Sequence, residues 1–360
     1  MNIFDYINAG EIAAYIQSLP SNQVPYLGAT LFPNRTHTGT DISWLKGSTG
    51  LPITIQPSEY DTKATLRERT GFGKVATEMA FFREALRIGE KDRQLMNNLS
   101  SRSLGMAQPI INNIFDDVNR IVAGVEAQAE YMRMQLLQYG RFTVASLNGN
   151  AKYVYDYSMN ADHQLDAAVL WSSYATSNPI TDIVAAMDVI EEDTGVRPTR
   201  IIMNRTTFKT MVASESIKKS LMIGVTGNWQ DLRISNAEAQ QYIERETESM
   251  IQVYSKKVAT FDNVDLITNP ENTRAVSLVD DGMVILLPES TLGNTWYGTT
   301  PEASDLANGN TAAQVQVIAN GPTITTYKEV HPVNVNTIVS AVMIPSFESI
   351  DNVATIKVLA

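Results

Sequence analysis

The stretch ILLPESTLGNTWYGTTPEASDL, residues 285 to 306, decides how the rest of the chain is read. An apolar run, Ile285-Leu286-Leu287, stops at Pro288 and opens into Ser, Thr, Gly and Asn around Trp296-Tyr297. Two acidic residues, Glu289 and Glu302, bracket the opening. A polar loop beyond a buried strand is where α/β enzymes keep their chemistry. The stretch is therefore either an active-site loop or a structural junction, and the remainder of the sequence must decide between them.

Composition narrows the class. The chain has 360 residues, enough for about two domains, with 44% hydrophobic and 19% charged residues, ordinary for a globular protein. No run approaches the length of apolar sequence that spans a membrane. The start, MNIFDYINAGEIAAYIQSLP, lacks a basic n-region and carries Asp5 and Glu11, so no secretory signal is expected there. Cysteine is absent, which excludes disulfides and thiolate metal sites and fits synthesis in a reducing cytoplasm. Net charge is −11, and the only adjacent basic pairs are Lys218-Lys219 and Lys256-Lys257. Duplex nucleic acid demands clustered cations that displace counterions, so no tight nucleic-acid binding is expected.

Period changes divide the chain. Residues 1 to about 30 read as a short amphipathic segment followed by LPSNQVP, whose prolines suggest an extended arm. From 35 to 74 the reading is extended: Ile42 and Trp44, then Leu51, Ile53 and Ile55, alternate at period two around the turn Gly47–Gly50. From 75 to about 99, Met79, Phe82, Leu86, Leu95 and Met96 suggest helix. The clearest element follows. Apolar residues Ile111, Ile114, Val118, Ile121, Val125, Ala129, Met132 and Leu136 recur three or four apart between Pro109 and Gly140. Thirty residues of helix measure roughly 45 Å, so this element should form the backbone of its domain. RFTVASLNGNAKYVYDYS reads as a hairpin, Asn178-Pro179 as a helix start, RIIMN as a strand and TTFKTMV as a helix. IQVYSKK, VDLIT, AVSLV, MVILL and ATIKVLA read as strands, and the mixture is α+β.

Catalytic motifs are weak. His37, His163 and His331 share no metal-ligand spacing, and HExxH and EF-hand patterns are missing. GFGKVA, residues 71 to 76, matches the start of a dinucleotide fingerprint but follows TKATLRERT, too polar for the buried strand that motif requires, and reads as a turn entering the helix. Ser43-x-x-Lys46 and Ser216-x-x-Lys219 fit SxxK without its companion motifs. The acidic clusters Asp116-Asp117 and Asp188/Glu191/Glu192/Asp193 read as solvated helix faces. No catalytic, cofactor or metal constellation assembles.

Residues 287 to 306 resemble the LG-x-T-x-YG-x-TPE segment of major capsid proteins of tailed bacteriophages, in the family of the lambda head protein. Further similar stretches occur in order: 27 to 47, 57 to 84, 125 to 144 and 170 to 204, the last with its Trp, Asn-Pro, Asp-Ile and Gly-x-x-Pro pattern. The resemblance covers nearly the whole chain. It implies an HK97-like fold: an N-terminal arm at 1–34, an extended loop at 35–75 and a peripheral domain from 76 to 160 with a spine helix at about 109–140. An axial domain at 161–320 and a return to the peripheral domain at 321–360 complete it. It also implies a non-enzymatic shell subunit, without cofactors, forming hexamers and pentamers of an icosahedral head around double-stranded DNA bound without sequence preference. A separate scaffold protein, a portal and a decoration protein are the expected partners, with synthesis in the host cytoplasm and residence in the virion. Trp44, Ile53 and Ile55 are expected to be covered by a neighbouring subunit, and Arg67, Glu68 and Arg69 to pair with its surface. Trp296 and Tyr297 become packing anchors at a junction. An encapsulin-like compartment and a cytosolic α/β enzyme are the alternatives.

Overall fold

The computed structural model describes residues 8–19, 26–46, 73–88, 104–145, 152–222, 234–261, 273–306, 313–318, 321–330 and 333–360, with single positions 90, 94 and 98. The chain forms two compact units. The first combines Met1–Ser43, Ala76–Met132 and Asn294–Ser346; the second combines Trp44–Val75, Arg133–Gly293 and Phe347–Ala360.

In the first unit one strand organises the sheet. β16 (Val333–Pro345) is 13 residues long. Along one edge it pairs with β15 (Thr323–Val330) and then with β13 (Thr295–Gly298), both antiparallel. Along the other edge it pairs with β4 (Ala80–Ile88) from Val335↔Ile88 to Met343↔Ala80. β1 (Asn34–Thr36) lies parallel to β13, and β14 (Gln314–Val317) closes the far side of β15. Alternation sends Val335, Val339, Ala341 and Met343 to one face, all fully buried. α3 (Leu104–Tyr139), 36 residues, runs against this sheet: Ile110, Ile114 and Val118 surround a cavity of about 290 Å³ with Leu86, Ile88 and Thr337. Its buried stripe is Ile111, Phe115, Val118, Ile121, Val122, Val125, Ala129 and Met132, as the periodicity predicts. The helix begins five residues before Pro109 and stops at Gly140, whose φ of 65° places it in the left-handed region. Its N–H donates to the Leu136 carbonyl at 2.9 Å. A Cβ there would sit 2.4 Å from that of Met159, so a side chain is excluded twice over.

The amphipathic start of the chain forms a helix, residues 20–25 of the LPSNQVP stretch lie outside the described residues, and one expectation changes. The N-terminal segment is helical where described: α1 (Ala9–Ser18), capped by the Asn8 side chain accepting from the Glu11 N–H at 2.8 Å, packs on β14 and β15. The Tyr15 hydroxyl donates to Asp116 on α3 at 2.7 Å, and its ring lies 5.4 Å from Phe115. α2 (Leu27–Leu31) follows and is tied to α3 by the Gly28 N–H donating to Glu130 at 2.9 Å. From residue 75 to 88 the expected helix is instead two strands, β3 (Gly73–Glu78) and β4, while Leu95 and Met96 of that expectation lie outside the described residues. Residues four apart share a face in a strand as well as in a helix, so Phe82 and Leu86 fitted both. Nine residues of pairing with β16 settle the choice.

The second unit holds a five-stranded sheet, ordered β7-β17-β12-β8-β9. Its centre is β12 (Met283–Leu287), buried at every position as its unbroken apolar run requires. β8 (Arg200–Met203) and β17 (Ala354–Lys357) flank it antiparallel, and β9 (Met250–Val253) and β7 (Gln164–Asp166) lie parallel to these at the edges. α4 (Pro179–Thr194) starts with Pro179 at its first position and ends at Gly195, φ 73°. α5 (Arg205–Ala213), α6 (Glu215–Leu221) and α7 (Asn236–Thr247) follow. Ile183, Met187, Phe208, Met211, Ile217 and Ile243 from these helices pack with Trp171, Ile201, Val284 and Ile356 in one core. The last strand therefore belongs to this sheet rather than returning with 321–345. The chain passes between units at residues 293 and 294, not near 320.

The expected hairpin is present: β5 (Arg141–Ala145) pairs with β6 (Lys152–Asp156) in the register Phe142↔Tyr155. Its turn at Asn148-Gly149 and the VDLIT segment lie outside the described residues. β2 (Asp41–Lys46) pairs with β3 and buries Ile42 and Trp44. Trp44 packs on Tyr157 at 5.1 Å, and Tyr157 meets Phe142 edge-on at 6.0 Å.

Two tests follow from this packing. Val118 is 1% exposed, so Val118→Asp should cost about 3 kcal/mol or more and give insoluble protein. Asp117→Asn, exposed on the same helix, should remain soluble; a soluble Val118→Asp with unchanged Tm would contradict the helix assignment. Burial raises the Tyr157 phenol well above its ordinary value of 10.0. A folded-state value above the unfolded one means its stability contribution is complete below pH 10 and is lost as pH rises beyond it. Tyr157→Phe should accordingly flatten the fall of Tm above pH 10; an unchanged slope would contradict this burial.

Candidate functional site

Residues 285 to 306 contain the end of β12, a linking segment, β13 and a short helical turn over Glu302–Leu306. β13 enters the first unit as an inner strand, with β1 on one side and β16 on the other. The chain segment at 32–37 is stitched to it: the Thr295 N–H donates to the Pro33 carbonyl at 2.9 Å, and its hydroxyl to the Phe32 carbonyl at 3.0 Å. The His37 N–H donates to the Tyr297 carbonyl at 2.8 Å. Ser346 secures the same strand from its other side. Its hydroxyl accepts from the Asn294 N–H at 3.1 Å and from Trp296 Nε1 at 3.0 Å, and it donates to the Asn294 carbonyl at 3.1 Å.

The glycine of the segment has a packing reason. A Cβ on Gly298 would lie 2.7 Å from the Gly39 carbonyl oxygen and 2.9 Å from Val342 Cγ1. Next, the Thr300 hydroxyl donates to that of Thr323 at 2.9 Å and accepts from the Ala303 N–H at 3.3 Å. Glu302 is 4% exposed; Ser340 donates to it at 2.9 Å and Arg83 of β4 pairs with it at 2.5 Å. A carboxylate with both oxygens engaged is a brace between β16, β4 and the turn, not a free base. Glu289 is exposed. Thr295, Trp296, Gly298, Thr300 and Glu302 are thus spent on holding strands together.

Other sequence candidates resolve similarly. GFGKVA runs into β3, which pairs with β2, rather than into a helix. Ser43 and Lys46 lie on β2; Lys219 pairs with Glu215 at 3.0 Å on α6. Arg197 binds Asp188 at 2.7 Å and also Glu191, so its single charge is shared by two of the four acids of the α4 cluster. That contact raises the Arg197 guanidinium further above its usual range. His163 is fully buried, its Nε2 3.2 Å from Asp193, while the His37 ring contacts the Asp41 carbonyl at 3.0 Å. Among the described residues no group of three acids or histidines could hold a metal, and no helix is long and apolar enough to cross a membrane. Trp44, expected at a subunit contact, is already covered by its own chain at 7% exposure. Ile53, Ile55, Arg67, Glu68 and Arg69 lie outside the described residues. Ser346, Ser340 and Arg83 were invisible to the motif because their role exists only across strands far apart in sequence.

The model of the family described as phage major capsid protein E matches residues 8–358. The chain belongs to that family. It is a structural family of the phage shell, so the protein is a capsid subunit rather than an enzyme, and the family favours a phage head over an encapsulin-like compartment. The fold is shared with a prophage protein of Escherichia coli CFT073 described as its capsid protein, at TM-score 0.59 and 16% identity over 98% of this chain and 99% of that one. A phage-related protein from Bordetella bronchiseptica RB50 aligns at TM-score 0.53 and 15% identity, over 98% of this chain and 97% of that one. No curated protein matches the chain. The α+β architecture is that of HK97-like capsid proteins, and capsid proteins of this kind self-assemble into the virion shell.

The brace makes a prediction. Ser346→Ala leaves the half-buried Trp296 Nε1 and Asn294 N–H without this acceptor, at a cost of about 1 kcal/mol. A fall of a few degrees in Tm with a native far-ultraviolet spectrum is expected; no change would show that the junction is dispensable.

Proposed function

We propose that the capsid subunit assembles as hexamers and pentamers into a closed icosahedral head enclosing double-stranded DNA. The first compact unit takes the peripheral place and the second the axial one. The observation that carries this reading is the family match from residue 8 to 358. A net charge of −11 supports it, because an acidic wall releases DNA that must be packed and later ejected. DNA is accordingly held without sequence-specific contacts. A separate scaffold protein and a portal are the partners this reading calls for, a decoration protein being optional to it, and synthesis in the host cytoplasm precedes assembly.

Within the extended loop at 35–75, residues 47 to 72 are the part proposed to lie on a neighbouring subunit. Ile53 and Ile55 alternate at strand period, and Arg67-Glu68-Arg69 offers both charges to a partner's surface. Extended chain with few large apolar side chains gains order by lying on another protein. Trp44 is left out of this contact because it belongs to the subunit's own core. The test removes residues 48–71 and joins the paired strands β2 and β3 through a short Gly-Ser linker, which keeps Ile42 and Trp44. The shortened protein should unfold cooperatively near the wild-type temperature yet form no closed shells by negative-stain microscopy. Intact shells from it would overturn the arm; loss of cooperative unfolding would place 48–71 in the subunit's own core.

A further inference from the structure

The second unit carries a basic cleft that no acid among the described residues neutralises. Arg205 and Lys209 sit one turn apart on α5 and, with Thr206, Thr210 and Tyr174, line a depression of about 280 Å³. Neither cation has an acidic partner among the described residues, although the chain contains 39 Asp and Glu against 28 Lys and Arg. Like charges four residues apart repel, so an anion placed between them is stabilised.

An acidic surface of the same unit is also left open. Arg197 takes Asp188 and Glu191, but Glu192 is exposed with no partner among the described residues, and Asp193 stays 55% exposed beside His163. Both acids lie in the last turn of α4. The first residue of that helix is at the basic cleft's end of the unit: the Glu215 N–H donates to the Tyr174 carbonyl at 2.8 Å, and Ser177 contacts Ser214 at 3.3 Å. At 1.5 Å per residue the acidic turn is about 20 Å from that end, more than twice the screening length at physiological salt. One chain therefore cannot satisfy its own cleft with these acids.

We infer that the cleft receives the acidic turn of α4, Glu192 and Asp193, from a neighbouring copy of this chain. Two different patches at opposite ends of one unit make a head-to-tail contact, the type that closes into rings when the rotation fits. This rests on the self-assembly reading and gives it a specific intersubunit contact. Carboxylates fill the gap between the two cations, and the hydroxyls of Thr206 and Tyr174 offer further donors, that of Thr210 being given to the Thr206 carbonyl at 3.0 Å.

The test uses the full-length chain in conditions where wild type forms particles. Arg205→Glu with Lys209→Glu should lower particle yield about tenfold or more while Tm stays unchanged, since like charges would then face each other. Adding Glu192→Lys and Asp193→Lys to that variant should restore yield. Wild-type yield from the first variant overturns the inference, as does failure of the four-site variant to recover. Normal particle yield with reduced packaged DNA would assign the cleft to phosphate and also overturn it. Failure to find any condition in which wild type forms particles would instead sink the self-assembly reading itself.

Discussion

The pairing of β16 along both of its edges is the constraint on which the first unit depends. One strand near the C-terminus receives β4 on one side and both β15 and β13 on the other. Its partner residues at 80–88 lie more than half the chain away, so the sheet cannot close until the last part of the polypeptide is available. Such non-local pairing is slow to form, because chain entropy is lost before contacts repay it. Everything else in this unit is built on the sheet: α3 lies against it beside Leu86, Ile88 and Thr337, α1 packs on β14 and β15, and α2 is tied to α3 through Glu130.

The opening segment converts this pairing into a specific geometry. β13 is short, and four residues of pairing would hold it weakly. Buried hydrogen bonds make up the difference: Ser346 fixes its start, Thr295 fixes residues 32–33, and Glu302 connects the following turn to Arg83 and Ser340. Those of Thr295 and Glu302 are costly to break because a buried oxygen would lose its partner. The sequence of Thr, Trp, Tyr, Gly and Glu that first suggests chemistry is a set of packing and bonding requirements. That is a sufficient physical reason for a shell protein to carry it.

Legibility in the sequence followed periodicity. α3, α4, the β5–β6 hairpin and the buried run of β12 all announce themselves, because a single pattern decides each and Pro or Gly marks an end. β4 did not, since Phe82 and Leu86 are four apart and fit either period until β16 is known. β1, the sequence NRT, carries no pattern at all; its three residues are exposed and exist as a strand only through β13. Placement of β17 depended on β12 rather than on neighbouring sequence. Trp44 at strand period looked equally suited to a foreign surface and to its own core, and Tyr157, more than a hundred residues later, decides it. The resemblance to capsid proteins supplied the fold that these local patterns could not assemble.

The most direct test of the account is the assembly state of the full-length protein, expressed alone and with the gene upstream, by sedimentation velocity and negative-stain microscopy. A capsid subunit built as described should give fast-sedimenting, closed, hollow particles of uniform size under at least one of these conditions. A slow-sedimenting, cooperatively folded monomer under both, at concentrations well above those of an ordinary stable oligomer, would contradict it.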